Sequence, residues 1–336
     1  MRRYLPILIL ALLATAAYLA HRAWRPPPFP SIVFNWHGGR AGLDARGGGG
    51  PAVGLDDLVE AGVTHVGVPQ NNTGDFGTHN YIEDMRLRGI GIVRTTERGF
   101  NAGLGRDLGA IIWAWQSPQE PGPFFEEYAR NLHAPCDGIG WNLEHDIMRA
   151  DKYPLSEADL RLADRWGLQV SDHQSPDYVR FRGRQFALVF QMYYSAARRK
   201  HPECRLAIGY SGYAGASYNR LPLEAAYGCD WQEQATPQTW NGHTFAPITH
   251  AMCAWHTTVE LPPPARTPSH PLPVIHTLQL APTLAQDDNF RARLRFVAAH
   301  RRPGDGLGTV EHGRRPVWDA GDRQVQRLLG TWNTPQ

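Results

Sequence analysis

The chain has almost no surplus of charge: 34 Lys and Arg stand against 32 Asp and Glu, a formal net of +2. Nucleic-acid binding needs a clustered basic surface, so no nucleic-acid partner is expected. Cysteine is scarce, with four in 336 residues (Cys136, Cys204, Cys229 and Cys253). None has the Cys-x-x-Cys spacing of a zinc or redox site. No Gly-x-Ser-x-Gly elbow occurs: Tyr210-Ser211-Gly212-Tyr213 lacks the leading glycine, which argues against a serine hydrolase. The Gly47–Gly50 run has neither a strand before it nor a lysine after it, so it is no phosphate loop. Nucleotide chemistry and a bound cofactor are therefore not expected.

Long hydrophobic runs are limited to one, the uncharged stretch Tyr4–Ala20 after Arg2-Arg3. As a helix it would span about 26 Å at ~1.5 Å per residue, close to a ~30 Å hydrocarbon core. It is long for the ~7–15-residue apolar region of a secretory signal, although Ala14-Thr15-Ala16 supplies small residues where one could be cut. A buried core helix is the third reading. His21, Arg22 and Arg25 follow, then the stiff Pro26-Pro27-Pro28. The expected organisation is a signal-anchor or signal peptide over 1–25, a Pro-rich spacer over 26–30 and a single domain over 31–336. The N-terminal helix would hold that domain at a membrane, outside the cytoplasm (periplasmic or extracellular); cleavage would release it as a secreted protein. With no Cys before Cys136, a lipoprotein cleavage site is excluded. In an oxidising compartment the four cysteines fit either buried free thiols or one structural disulfide.

What is present suffices for one sizeable core: 42% hydrophobic and 20% charged residues. After the spacer, short β-type runs alternate with amphipathic helical ones. The candidate strands are Ser31–Trp36, Thr64–Pro69, Gly91–Thr95, Asp137–Glu144, Arg205–Ser211, Gly228–Glu233, Val274–Leu280 and Gly306–His312. Between them lie Leu55–Ala61, Tyr81–Arg88, Phe124–Leu132, Arg182–Lys200 and Asn289–His300, with Val317–Leu329 closing the chain. That order predicts an α/β fold, a (β/α)8 TIM barrel. The run Ala110–Gln116 (AIIWAWQ) reads either as a ninth strand or as part of the third helix. Two insertions stand out, His145–Asp177 after strand four and Ala235–Leu272 after strand six. The second, with Trp240, His243, His250, Trp255 and His256, reads as a lid or as an inert loop.

Barrel enzymes build their sites at the C-terminal ends of the strands. In Gly138-Ile139-Gly140-Trp141-Asn142-Leu143-Glu144-His145-Asp146, alternation sends Ile139, Trp141 and Leu143 to the helices and Gly140, Asn142, Glu144 and Asp146 to the interior. Buried polar side chains are costly unless partnered, so this set is either an internal hydrogen-bond network or a site with Glu144 as general acid/base. The other strand ends are polar too: His37 after Trp36, Gln70 and Asn71, Glu97, Tyr210 and Ser211, Glu233, Gln279, and Glu311-His312.

Asp137-Gly138-Ile139-Gly140-Trp141-Asn142-Leu143-Glu144 resembles the Asp-x-x-Asp-x-Asp-x-Glu strand-four signature of chitinase-type (family 18) glycoside hydrolases. Asp137 and Glu144 match; Gly140 and Asn142 replace the second and third Asp. The resemblance implies a carbohydrate substrate and Glu144 as the acid that protonates the leaving oxygen. Asn142 can hydrogen-bond there but cannot stabilise a positive intermediate by charge, which counts against substrate-assisted cleavage of N-acetylated sugars. Trp113-Ala114-Trp115-Gln116-Ser117-Pro118-Gln119-Glu120-Pro121 in turn resembles the Trp…Asn-Glu-Pro end of strand four in the large retaining-glycosidase clan, which would make Glu120 the acid/base and Glu233 the nucleophile.

With Glu144 as the acid, the strand ends offer Glu233 as opposing carboxylate and Asp146 tuning the acid by like-charge proximity, Glu311 standing in reserve. Asn142, His37, Trp36, Tyr210, Trp231, Gln279 and Glu311 would contact sugar. A non-catalytic carbohydrate-binding barrel is the alternative from another class. A metal hydrolase using Glu144-His145-Asp146, Asp172-His173, His276 or Glu311-His312 is the third; alternation turns His145 away from its neighbours, and no resident metal is expected.

Overall fold

The computed structural model describes residues 33–36, 59, 63–71, 73, 75–76, 79–95, 108–115, 123–140, 154–173, 175–214, 233, 236–245, 251–256, 274–280, 292 and 305–311. Ser31–Gln336 forms one compact unit, apart from Met1–Pro30. The Tyr4–Ala20 run lies outside the described residues, among which no helix is long and apolar enough to cross a membrane.

Twelve strands are described: β1 (Val33–Trp36), β2 (His65–Pro69), β3 (Asp75–Phe76), β4 (His79–Asn80), β5 (Gly91–Thr95), β6 (Gly138–Gly140), β7 (Leu206–Ala214), β8 (Gln238–Trp240), β9 (His243–Phe245), β10 (Ala251–His256), β11 (Val274–Leu280) and β12 (Gly306–Glu311). Eight of them hydrogen-bond in the closed order β1-β12-β11-β10-β7-β6-β5-β2. Every neighbouring pair in that ring is parallel. All eight C-terminal ends therefore face one way. β3–β4 and β8–β9 are two-stranded antiparallel ribbons outside the ring. The second turns at Asn241-Gly242, both at positive φ (47° and 78°), the backbone of a tight two-residue hairpin.

Helices Tyr81–Leu87, Pro123–Asn131, Glu157–Trp166 and Pro176–Lys200, with a further helical stretch at 108–114, lie between the strands. Their ends are written in the sequence. Asn80 Oδ1 accepts from the backbone N–H of Ile82 and Glu83. Ser156 and Asp159 form a reciprocal capping box, and Gly167 closes the same helix at φ 68°. Ser175 caps the 176–200 helix just before Pro176, and Arg198, Arg199 and Lys200 occupy its last turn, where positive charge suits the helix dipole. This helix is buried along most of its length through Phe181, Phe186, Val189, Phe190 and Tyr193. Its buried Arg182 lies 3.7 Å from Asp159, whose other oxygen accepts from Gln185 at 2.6 Å. Removing one member of such a buried pair costs about 3–5 kcal/mol, because the survivor is left uncompensated.

The strand expectations hold in position at seven places, β6 being described only as far as Gly140. The sixth fails. β10 (Ala251–His256) fills that place in the ring, not Gly228–Glu233. The Ala235–Leu272 segment is therefore no single loop: it contains the β8–β9 hairpin and a ring strand. The hairpin is fastened down, with Trp240 buried, its indole N–H donating to the Trp115 carbonyl at 3.2 Å and its ring 5.1 Å from Trp113. His145–Asp177 is likewise not a plain insertion, since it holds the 157–166 helix and opens the 176–200 helix. Ala110–Gln116 is settled as helix through Ala114. There Trp113 donates to the Ala158 carbonyl, and Gly109 sits so close to Asp159 that an added Cβ would lie 2.5 Å from its carboxylate.

Candidate functional site

β5 and β6 fix which residues of the Gly138–Asp146 run share a face. Arg94 on β5 is fully buried and donates to the carbonyls of Pro135 (2.9 Å), Ala134 (2.9 Å) and Pro69 (3.2 Å). Ala134 and Pro135 belong to the connection that brings the chain from the 123–131 helix into β6, so Arg94 points to the helix side of the ring. Register pairs Arg94 with Ile139, Val93 with Gly138 and Thr95 with Gly140. Ile139 thus faces the helices and Gly138 and Gly140 face the lumen, as alternation predicts. Gly138 is there for space: a Cβ would stand 2.6 Å from the Leu206 Cβ and 3.0 Å from its carbonyl oxygen on β7.

Asn142, Glu144 and Asp146 lie outside the described residues, as do His37, Trp231, Trp141, His145 and Glu120. The remaining predicted residues are placed by their backbone. Trp36 ends β1 and pairs with Val310 and Gly67. Tyr210 lies in β7 opposite Cys253, and Gln279 in β11 opposite Val310. Glu311 ends β12, paired with Leu280 at the end of β11. Trp36, Gln279 and Glu311 are thereby brought to one stretch of the C-terminal rim.

Glu233 belongs elsewhere. It is not on a ring strand, and its side chain is 13% exposed. One carboxylate oxygen accepts from Arg180 at 3.1 Å; the other, with the Glu233 backbone carbonyl, accepts from Gln238. Burial lowers the pKa of nearby Arg184, the Glu233 charge opposes that shift and Arg180 adds to it. Glu233 is thus the anion that binds Arg180 of the 176–200 helix and the start of the β8–β9 hairpin, while its charge favours the nearby Arg184 cation. The second resemblance loses its frame as well, because Trp113 is on a helix and not at a strand end.

At the other strand ends, Gln70 is buried, its backbone tied to Thr95 and His133, while Asn71 is exposed. Asp172 and His173 are exposed, and the His173 ring packs at 4.9 Å on Tyr178. Among the described residues no group of three or more His, Cys, Asp or Glu could hold a metal ion.

No protein-family model matches the chain, and no curated protein matches it. Among solved structures, it is similar to alpha-L-fucosidase isoenzyme 2 from Paenibacillus thiaminolyticus, with a TM-score of 0.42 and 10% identity over 91% of this chain and 48% of that one. A truncated form of 3-deoxy-D-arabino-heptulosonate 7-phosphate synthase from Thermotoga maritima gives a TM-score of 0.35 and 12% identity, over 90% and 84% of the two chains. The chain spans about half the length of the fucosidase.

Correcting the sixth strand changes the membership of the rim. Trp255 and His256, read from sequence as lid residues, end β10, where His256 pairs with Leu278 and Ala214. Two signals pointed there: the apolar run Ala251–Trp255 before the Pro262 cluster, and the Asn241-Gly242 turn just upstream.

Proposed function

We propose that the chain is a (β/α)8-barrel protein of glycoside-hydrolase type that cleaves a polysaccharide or glycan, with Glu144 as general acid/base. One observation supports this most: β6 is a ring strand whose lumen-side Gly140 lies two and four residues before Asn142 and Glu144. Alternation continued past Gly140 would bring Asn142, Glu144 and Asp146 to that face, at the strand end where barrel enzymes act. Asn142 would orient the sugar by hydrogen bonding, and Asp146 would raise the Glu144 pKa by like charge, keeping it protonated as an acid. No opposing carboxylate is assigned among the described residues: the pairs Val93–Gly138, Gly67–Val93, Trp36–Gly67 and Trp36–Val310 carry the lumen face around the ring to Val310, which leaves Glu311 on the helix face. Carboxylates about 5–5.5 Å apart would give retention and about 6.5–9.5 Å inversion. Trp36 and Gln279, both paired with Val310 on the lumen face, would line the site, and the N-terminal segment would tether the domain at a membrane.

A glycan-binding barrel without turnover is the second reading, favoured by Gly140 standing where the resembling family has an acid. Hydrolysis of a polysaccharide panel by the purified chain separates the two. Glu144→Gln should lower kcat by about 10²–10⁴-fold with glycan affinity retained, the usual range for loss of a general acid. Full activity in that variant would exclude Glu144 as the acid; binding with no turnover by the wild type would establish the second reading.

A further inference from the structure

Two thiols meet at the opposite end of the ring, beneath β6 and β7. Cys136 and Cys204 each stand two residues before a register pair, Gly138 with Leu206. The two segments are already laced together there: the Asp137 carbonyl accepts from the backbone N–H of Arg205 at 2.9 Å and of Leu206 at 3.1 Å. Neighbouring strands run about 4.8 Å apart, inside the ~4.4–6.8 Å Cα separation that a disulfide spans. Both cysteines are free and wholly buried. The Cys136 thiol donates to the Gly138 carbonyl at 3.3 Å, and the Cys204 thiol hydrogen-bonds Cys136.

We propose that Cys136 and Cys204 are an oxidation site: in an oxidising compartment they close a disulfide that clamps the base of β6 to the base of β7. The oxidant is a disulfide, carried by a small molecule or by a protein. One cysteine attacks it as thiolate, giving a mixed disulfide and releasing a thiol. The second cysteine then displaces the other half, so the S–S bond forms while two electrons and two protons pass to the reduced oxidant. The hydrogen bond to Cys136 and burial both push the Cys204 thiol far above its usual range. A thiol in that state is a poor nucleophile, so the bond closes during folding, before the site is sealed, and then resists reductants. It encloses a loop of roughly 70 residues, the whole β6-to-β7 crossover, and loops of that size lose much unfolded-state entropy when linked. The inference is independent of the role given to Glu144.

The test uses the full chain folded with oxidised glutathione, denatured, alkylated and digested with trypsin. Cys136 and Cys204 fall on separate peptides, Asn131–Arg149 and His201–Arg205. The expected result is one cross-linked species of those two peptides, lighter than their sum by two hydrogens and abolished by reductant. Reductant should also lower the melting temperature by at least about 5 °C. That drop should vanish in Cys136→Ala/Cys204→Ala. Alkylation of both cysteines without prior reduction, or a link from either one to Cys229 or Cys253, would overturn the proposal.

Discussion

At the scale of single residues, His65 shows how burial becomes pH dependence. Its mostly buried ring covers the Cα side of Gly91, where an added Cβ would lie 2.6 Å from the ring, and its Nδ1 lies 3.0 Å from the Thr64 hydroxyl. Burial lowers its pKa below 6.5, and the Asp137 charge recovers only part of that shift. The unfolded chain, with His65 at its ordinary value, takes up the proton first as pH falls. The contribution of His65 to stability is therefore complete above about pH 6.5 and is lost as pH drops from there toward the folded pKa. Thermal melts at pH 7 and pH 5 should show a smaller acid loss in His65→Gln than in the wild type. Equal losses would remove His65 as the titrating group. The buried Arg94 makes a contrasting case: three backbone carbonyls receive its guanidinium, and it was legible in the sequence only as an odd charge in the run Gly91–Thr95.

Between elements, β6 and β7 meet so closely that only glycine fits at position 138. The Leu206 Cβ and carbonyl are fixed to the backbone and cannot swing aside. Gly138→Ala should destabilise the fold by about 1–3 kcal/mol, read as a lower denaturation midpoint, because overpacking forces backbone shifts. An unchanged midpoint would mean that the strands separate freely there. How far elements were legible depended on how local their signals were. Gly91–Thr95 and Val274–Leu280 are β-branched runs with turn residues beside them, and the structure places strands over those same residues. Ala251–His256 has an apolar run but no β-branched residue, so its local signal is weak and its two partners in the ring decide it as a strand. Ile111, Ile112 and Trp113 favour a strand by propensity. They are helical because Gly109 and Trp113 dock on the 157–166 helix, a long-range contact that no local window contains.

For the whole molecule, closure is what matters. A ring of parallel strands has no edge with unpaired N–H and C=O groups, and β12 supplies the pairs that join β11 to β1. Deleting the chain from Asp305 onward should expose two edges at once and give aggregated material without a cooperative melt, seen by gel filtration and calorimetry. A monomeric, cooperatively melting product would show that closure is dispensable. The architecture was legible because alternation of strand and helix is a repeated signal that survives one misplaced member. The site was legible only in part. Parity along β6 could be read from Ile139 and its glycines, whereas Glu233, polar and near a β-like run, gave no hint that Arg180 and Gln238 would claim it.

The seating of Trp240 has a consequence for how such a chain could be recombined. Its ring meets Trp113 at 5.1 Å and Trp166 at 6.5 Å, with the Arg165 guanidinium 4.2 Å above it. Those four side chains come from three successive crossovers, β5 to β6, β6 to β7 and β7 to β10. Swapping one βα unit from another barrel would cut this knot and strand a bulky indole without its cradle. Exchange of βα units with another barrel is therefore expected to give a folded product only when the sector from β5 through the hairpin moves together, a difference that thermal melts of the chimeras would show.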